Sequence, residues 1–422
     1  MALALYRGAM SALAPAVPAL LKLRARRGKE DAARLPERYG SASRARPPGT
    51  LIWIHGASVG ESLAALPLVS ALLEKPGRQV LVTTGTVTSA KMMEERLPAR
   101  AFHQYVPVDS RSSVRRFLAH WRPDLALFVE SELWPNLIVE THARGVPMAL
   151  VNARLSERSF RGWNRARGLA RRILSSFDAC LAQDEGVAKR LTALGALSVQ
   201  IAGSLKADAP ALPVDEAALT AFRAAFGARP IFLAASTHPG EEEIVMRVAG
   251  DLRKNGSDAL TIIVPRHPAR GPEIEALAKA HGFAVSRRST GEIPSSDTQL
   301  YVADTMGELG LFYRLAPFAF LGGSLVPHGG QNPLEPARLG TAVVTGPHTH
   351  NFEETFVSLL AAQGDGRVQS SEELLRLVQK LIADPGCAAQ LGTRAKSASE
   401  SLKGALSATM AMAETLITHA RT

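Results

Sequence analysis

A chain of 422 residues is too long for one ordinary domain and divides most simply into two of roughly 150–200 residues. With 46% hydrophobic and 21% charged residues it can bury a real core, which excludes a disordered chain. Its two cysteines, Cys180 and Cys387, form no CxxC pair and no disulfide framework, which excludes a stapled secreted scaffold and points to reduced thiols in a cytosol-facing protein. The net charge of +10 is concentrated at the start, where residues 1–50 carry ten Lys and Arg against three acids.

The first element, MALALYRGAMSALAPAVPALL, is apolar but broken by Arg7, Pro15 and Pro18, and basic LKLRARRGKE follows it. Crossing a bilayer takes about 20 mostly apolar residues, and this segment only just reaches that length. A cleaved signal peptide would carry its positive charge on the other side and end in a small-residue cleavage site. An interfacial or marginally inserted anchor, with its basic flank toward anionic lipid, fits better. A helix packed on the protein body is the plain alternative.

Short apolar runs then alternate with helical patterns. The predicted strands are LIWIH (51–55), QVLVTTG (79–85), AFHQYVPV (101–108), LALFVE (125–130), PMALVNA (147–153), FDACLAQ (177–183) and VQIAG (199–203). After the connector ADAPALPVDEAAL (207–219) the alternation restarts with PIFLAAST (230–237), ALTIIVPRH (259–267), FAVSRRS (283–289), LYVADT (300–305), FAFLGGS (318–324) and TAVVTG (341–346). Runs apolar on both faces, separated by helices of about 10–15 residues, predict parallel doubly wound sheets. Ligands of such sheets sit at the carboxyl ends of the strands. The unusual loops of this sequence fall at those ends.

Between two of those strands lies RLSERSFRGWNRARGLARRIL (154–174), with seven arginines around Phe160 and Trp163. It suits a membrane surface, a phosphorylated substrate or merely a solvated helix face. No RNP, KH or zinc-finger pattern accompanies it, so no nucleic-acid partner is expected.

The loop after the first strand reads WIHGASVGES. GASVG matches GxSxG, the nucleophile elbow of serine hydrolases, with Ser58 as nucleophile. Against that, no earlier strand exists to supply an oxyanion hole, and no single later histidine stands out among His103, His238, His267 and His328. A Walker loop fails for want of GK[ST]. Glu61 in the first helical turn is either a helix cap, worth about 0.3–1 kcal/mol, or a general base, worth about 10²–10⁴ in rate. Spacing alone leaves both open. In VPRHPAR (264–270), Arg266 and Arg270 offer planar forks for phosphate or carboxylate. GGSLVPHGGQNPLEPARLG (322–340) combines a Gly-rich turn with a helix start able to hold phosphate. Glu335 there, and Glu308 in MGEL, can accept ribose hydroxyls. Together these loops suggest a sugar-nucleotide donor.

HGASVGES, VESELWPN, NARLSERS, GSLK, PRHPAR, MGEL, GGSLVPHGGQNPLEPA and GPHTHNF, in this order, resemble the 3-deoxy-D-manno-octulosonic acid (Kdo) transferases of lipopolysaccharide biosynthesis. The resemblance runs from PERYG (36–40) to GPHTHNF (346–352). It implies an α/β fold of GT-B type, two Rossmann-like parallel-sheet domains facing across a cleft. The expected divisions are a membrane-association segment (1–46), an acceptor domain (47–208), a CMP-Kdo-binding domain (209–395) and a C-terminal helix (396–422) returning to the first domain. It also implies transfer of Kdo from CMP-Kdo to the lipid A precursor, lipid IVA, at the cytoplasmic face of the bacterial inner membrane. The donor is β-linked and the product α-linked, so the reaction inverts and needs a base opposite the leaving group. Carried over by motif, Glu61 is that base, and Glu130 (with Glu132 two residues on) and Lys206 stabilise the transition state. Pro265, Arg266, Met306, Gly307, Glu308, Asn332, Pro333, Leu334 and Glu335 map to CMP binding. Ser58, Arg154, Arg158 and Arg161 are expected to contact the acceptor, the arginines through its phosphates. No metal and no cofactor enter this reading, and the pair His348 and His350 lacks a carboxylate partner. The other classes still open are a soluble sugar-nucleotide epimerase and the serine hydrolase.

Overall fold

Thirteen apolar runs become thirteen parallel strands in the computed structural model, which describes residues 2–364 and 366–419. The strands belong to two units. Unit 1 is built from the chain up to Ala209 together with the segment from Lys403, and unit 2 from Pro210–Leu402.

Unit 1 holds β1 (Thr50–His55), β2 (Arg78–Thr84), β3 (Ala101–Tyr105), β4 (Leu125–Val129), β5 (Met148–Ala153), β6 (Ala179–Ala182) and β7 (Val199–Ile201), in the order β3-β2-β1-β4-β5-β6-β7. Side chains of a strand alternate between faces, and both faces here are buried. Leu51, Trp53 and Phe128 join Phe117 and Trp121 on one side; Ile52, Ile54, Val80 and Leu127 join Leu68 and Leu72 on the other. The strand order reverses between β1 and β4, which makes their carboxyl ends the natural place for a ligand.

The second of those layers is completed by the C-terminal helix Ala405–His419, through Ala405, Ala413 and Ile417. Glu414 on this helix accepts from Arg78 Nη1 at 2.8 Å and Nη2 at 2.6 Å, and Lys75 lies 2.8 Å away. The Arg78 hydrogen bonds pull the Glu414 carboxyl down to about 2. Its folded value is therefore below the unfolded one, so the stabilisation is complete above about pH 4.3 and is lost as pH falls toward 2. Glu414→Gln is expected to lower the thermal midpoint at pH 7 by about 2–4 °C. The gap to the parent should close on acidification, as thermal scans across that range would register.

Unit 2 holds β8 (Ile231–Thr237), β9 (Leu260–Pro265), β10 (Val285–Arg287), β11 (Leu300–Val302), β12 (Phe318–Leu321) and β13 (Ala342–Thr345), in the order β10-β11-β9-β8-β12-β13. Here the order reverses between β8 and β12. Phe232, Ile263, Phe318 and Phe320 pack on one face; Leu233, Ile262, Ala319 and Leu321 meet Phe222, Tyr301 and Phe312 on the other.

Some expected boundaries move. The run 283–289 pairs only over Val285–Arg287, because Arg288–Thr290 turns into a 3₁₀ helix. The expected division at 396 falls inside the helix Pro385–Ser401, and the change of unit comes after Leu402.

At the N-terminus, helices Ala2–Leu13 and Val17–Arg26 are joined by a single 3₁₀ turn, Ala14–Ala16. Pro15 and Pro18 stand where each element starts, where an N–H has no helical acceptor anyway. Ala2–Arg26 is long and apolar enough to cross a membrane, by length and composition only. Leu5, Leu13, Leu20 and Leu23 are exposed. Polar contacts nevertheless tie the segment to unit 1. Tyr6 donates to Asp109 (2.7 Å) and Arg7 to Asn136 (3.1 Å) and Glu140 (2.7 Å), while Arg24 meets Glu30 (2.9 Å) within the segment itself. Glu140 also receives Arg111 and Arg115.

Candidate active site

At the reversal point of unit 1, β1 ends in a tight turn and the helix Val59–Leu73 begins. Gly56 keeps that turn close: a Cβ there would stand 3.1 Å from Glu61 Cβ. Ser58 is the N-cap and receives the Glu61 amide, while Glu61 accepts from the Ala57 amide at 2.6 Å and the Ser58 amide at 3.3 Å. The Ser58 hydroxyl donates to Glu61 Oε1 at 2.8 Å. The capping box expected of a serine three residues before a glutamate is complete. It fixes the Glu61 rotamer at the strand end and leaves Oε1 with spare lone-pair capacity.

Two further residues at strand ends have strained backbones. Glu130, after β4, has φ 60°, and Asn152, in β5, has φ 50°. Non-glycine residues in that region cost energy and concentrate at functional sites. Asn152 receives the Leu205 amide at 3.0 Å, which positions the turn Leu205–Asp208. Lys206 in that turn reaches within 3.4 Å of Glu130 Oε1. Glu132 accepts from the Trp134 indole at 2.5 Å and lies 3.9 Å from His55 Nε2.

The electrostatics follow from this crowding. Burial raises Glu61, the Ser58 hydroxyl opposes it, and Glu130 raises it further. Glu132 is also raised, by burial and then by Glu61 and Glu130 against the Trp134 hydrogen bond. Burial pushes His55 down to about 4, so its imidazole is neutral at pH 7. Three carboxylates, one lysine and a neutral imidazole thus share one strand-end site. Glu61, Glu130 and Lys206 are brought together, with Glu132, the sequence's alternative to Glu130, beside them; His55 and Asn152 join them without having been assigned roles from the sequence motifs.

In unit 2, a cavity of about 250 Å³ opens at the strand ends. Arg266, Gly307, Asn332 and Glu335 line it, with Ser236, Gln331 and Gly310 among its other walls. Ser236 again has a positive φ, 59°. Glu335 is raised by burial, against Asn332, Arg338 and Arg266. The remaining nucleotide-site candidates stand apart from this cavity. Pro265, Pro333 and Leu334 are buried, and Met306 is 77% exposed. Glu308 accepts from Arg288 at 2.9 and 2.6 Å and from Thr305. Those bonds hold its carboxyl below the usual range, so a ribose hydroxyl would have to compete with them. The opening of the Gly-rich turn is held from within the chain. Its amides at Gly323, Ser324 and Leu325 donate to the buried Glu241 carboxylate (2.6, 3.0 and 3.0 Å), which takes the place an anion would fill. The helix after it, Leu334–Arg338, is barely a turn long.

Residues 33–209 match the family of 3-deoxy-D-manno-octulosonic-acid transferases (kdotransferases). The chain is 38% identical over 379 residues to the 3-deoxy-D-manno-octulosonic acid transferase of Haemophilus influenzae, covering 88% of this chain and 89% of that one. The chain belongs to the Kdo transferase family. The Bordetella pertussis Kdo transferase is likewise 38% identical, over 396 residues, 90% of this chain and 91% of the relative. Among solved structures, UDP-GlcNAc 2-epimerase from Neisseria meningitidis bound to UDP-GlcNAc is similar, with TM-score 0.54 at 14% identity over 84% of this chain and 98% of that one. At that identity the likeness speaks for the two-Rossmann fold alone.

Against that family background the remaining candidates are readily placed. The Ser58 hydroxyl is committed to Glu61, and the nearby His55 turns Nδ1 to Thr83 while its Nε2 has no hydrogen-bond partner. Ser58 and His55 therefore form no serine–histidine pair, and the family match does not favour the hydrolase alternative. Arg154, Arg158 and Arg161 are exposed. Arg158, Arg161 and Arg165 line a groove of about 540 Å³ on the helix Glu157–Arg165; Arg154 precedes that helix and is not part of the groove. Among the described residues, no group of three His, Cys, Asp or Glu is placed to hold a metal ion.

Proposed function

We propose that this chain is an inverting glycosyltransferase that moves Kdo from CMP-Kdo to the lipid A precursor, with Glu61 as general base. The observation that supports it most is the Glu61, Glu130 and Lys206 cluster, gathered from three separate loops at the reversal point of unit 1. An acceptor hydroxyl attacks the ketosidic carbon as its proton passes to Glu61. The carbon–oxygen bond to phosphate breaks, and CMP departs with the electron pair. Lys206 offsets the negative charge that grows on the leaving phosphate, and Glu130 faces the electron-poor carbon. The unit 2 cavity takes the nucleotide, with Arg266 toward phosphate and Glu335 toward ribose. No metal or cofactor is needed for this displacement.

The acceptor and the membrane belong to the same proposal. Tyr6 and Arg7 hold the N-terminal segment to Asp109, Asn136 and Glu140 of unit 1. A segment whose first helix is tied down in this way lies on the cytoplasmic face of the inner membrane rather than crossing it, with its exposed leucines in the interface. Incubation with CMP-Kdo and lipid IVA, followed by mass spectrometry of the lipid, tests the activity. A glycolipid heavier by one or more Kdo residues is expected; release of CMP with no glycolipid product would refute the proposal.

The arginine groove is assigned to the acceptor phosphates. The double variant Arg158→Glu, Arg161→Glu should raise KM for lipid IVA by about tenfold or more, since a bond to a charged group is worth about 1.5–3 kcal/mol. KM for CMP-Kdo should stay within about twofold, because neither arginine is among the residues that line the nucleotide cavity. Equal changes in both constants would remove the assignment.

A further inference from the structure

Unit 2 also contains a cluster of imidazoles to which no role has yet been given. His238 follows β8, His328 follows β12, and their rings stack with centroids 4.2 Å apart at 21°. His267, after β9, meets His238 edge-on at 6.3 Å. All three stand at the carboxyl ends of strands, at or beside the reversal point between β8 and β12. The arrangement is built rather than incidental. Glu241 holds the His238 amide at 3.0 Å and the Gly323 amide at 2.6 Å, locking the two loops together. Gly323 has φ 69°, and a Cβ there would press on His238 Cδ2 at 3.2 Å and His328 Cβ at 3.3 Å.

The cluster borders the nucleotide cavity. Gln331 lines that cavity, and its Nε2 lies 3.0 Å from His238 Nε2; Arg266, beside His267, lines it too. The charged groups beyond β9 and β12 that act most on His238 among the described residues are all basic: His328, His267, Arg266 and Arg270. The nearby acids on its own side are already committed. Glu241 is spent on amides, and Glu242 uses Oε1 on Arg270 (2.7 Å) and Thr237 (2.9 Å). Burial and these four neighbours push His238 down to about 4. An anion placed against the stack would reverse that effect and draw a proton onto it.

A CMP-activated ulosonic sugar carries two anionic groups on one carbon, a phosphodiester and a carboxylate. A site for the carboxylate must therefore adjoin the phosphate end of the nucleotide site. We infer that His238, His328 and His267 form a subsite for the carboxylate of the donor sugar, selecting acidic sugars over neutral ones. This inference rests on the CMP-Kdo reading above.

Calorimetric titration of the full chain with CMP and with CMP-Kdo, in the absence of acceptor, separates the two. With the parent chain, both should bind, and CMP-Kdo should take up more protons than CMP at pH 7, seen by comparing buffers of different ionisation enthalpy. His238→Gln should weaken CMP-Kdo by about tenfold or more, leave CMP within about twofold, and abolish the extra uptake. His328→Asn, at an exposed position, should act in the same direction and guards against a folding defect. Equal losses for CMP and CMP-Kdo, or no difference in proton uptake, would overturn the carboxylate subsite while leaving the nucleotide site standing. Failure of the parent chain to bind CMP at all would instead overturn the nucleotide reading and this inference with it.

Discussion

Glu61→Gln is expected to lower kcat by about 10²–10⁴-fold, the range spanned by general-base catalysis, while the thermal midpoint stays within about 2 °C of the parent. The two halves of that expectation come from the same geometry. Glutamine retains an oxygen able to accept from the Ala57 and Ser58 amides, so the capping box survives. What disappears is a negative charge crowded by Glu130 and Glu132, whose loss relieves repulsion rather than removing support. The proton acceptor, however, is gone. Ser58→Ala provides the contrast. It removes the cap acceptor, at a cost of about 1 kcal/mol, and the hydroxyl that favours the ionised Glu61. Its activity should fall by less than about tenfold, and the acid limb of kcat/KM should move to higher pH, because losing that hydrogen bond raises the Glu61 carboxyl. Turnover of the Gln variant within tenfold of the parent would place the base elsewhere. A greater loss from Ser58→Ala than from Glu61→Gln would revive serine as the nucleophile.

Capping and catalysis were rival readings of Glu61 in the sequence, and the coordinates explain why spacing could not separate them. The capping box is complete, yet it consumes only part of the carboxylate's accepting capacity. The strands were legible because both faces are buried, so apolar runs such as LIWIH and TIIVP stand out without any periodicity. Harder to see were features that depend on backbone geometry or on pairing across long separations. Nothing in the letters VES or VNA announces φ values of 60° and 50° at Glu130 and Asn152, although asparagine is among the residues that tolerate that region best. That the amides opening the Gly-rich turn are taken by Glu241, more than eighty residues earlier in the chain, is not legible in the sequence. Likewise the MGEL glutamate looked available until Arg288, twenty residues away, proved to hold it. His55 could have been suspected, since a histidine ending an apolar strand beside a loop of this kind is an uncommon core residue. Its neutral state, though, follows only from full burial.

Lys206→Ala should reduce kcat by about 10²–10³-fold, the usual cost of deleting one preorganised electrostatic donor. The lysine has two duties that a single measurement of rate would merge. Toward the leaving phosphate it offsets developing negative charge. Toward Glu130, 3.4 Å away, it balances a carboxylate that also raises Glu61. Without the ammonium, the three carboxylates face one another with no cation between Glu130 and its neighbours, and the group takes up a proton at higher pH. The acid limb of the kcat/KM profile should therefore shift upward, so that activity lost at pH 7 is partly regained at more alkaline pH. Lys206→Arg keeps the charge and should leave the limb near its parent position. Its planar fork spreads that charge differently, so the rate should recover only in part. A lysine that merely supported the turn Leu205–Asp208 would lower the melting temperature and leave the pH profile where it was. An unmoved acid limb in Lys206→Ala, with Lys206→Arg no better than alanine, would remove this residue from the transition state.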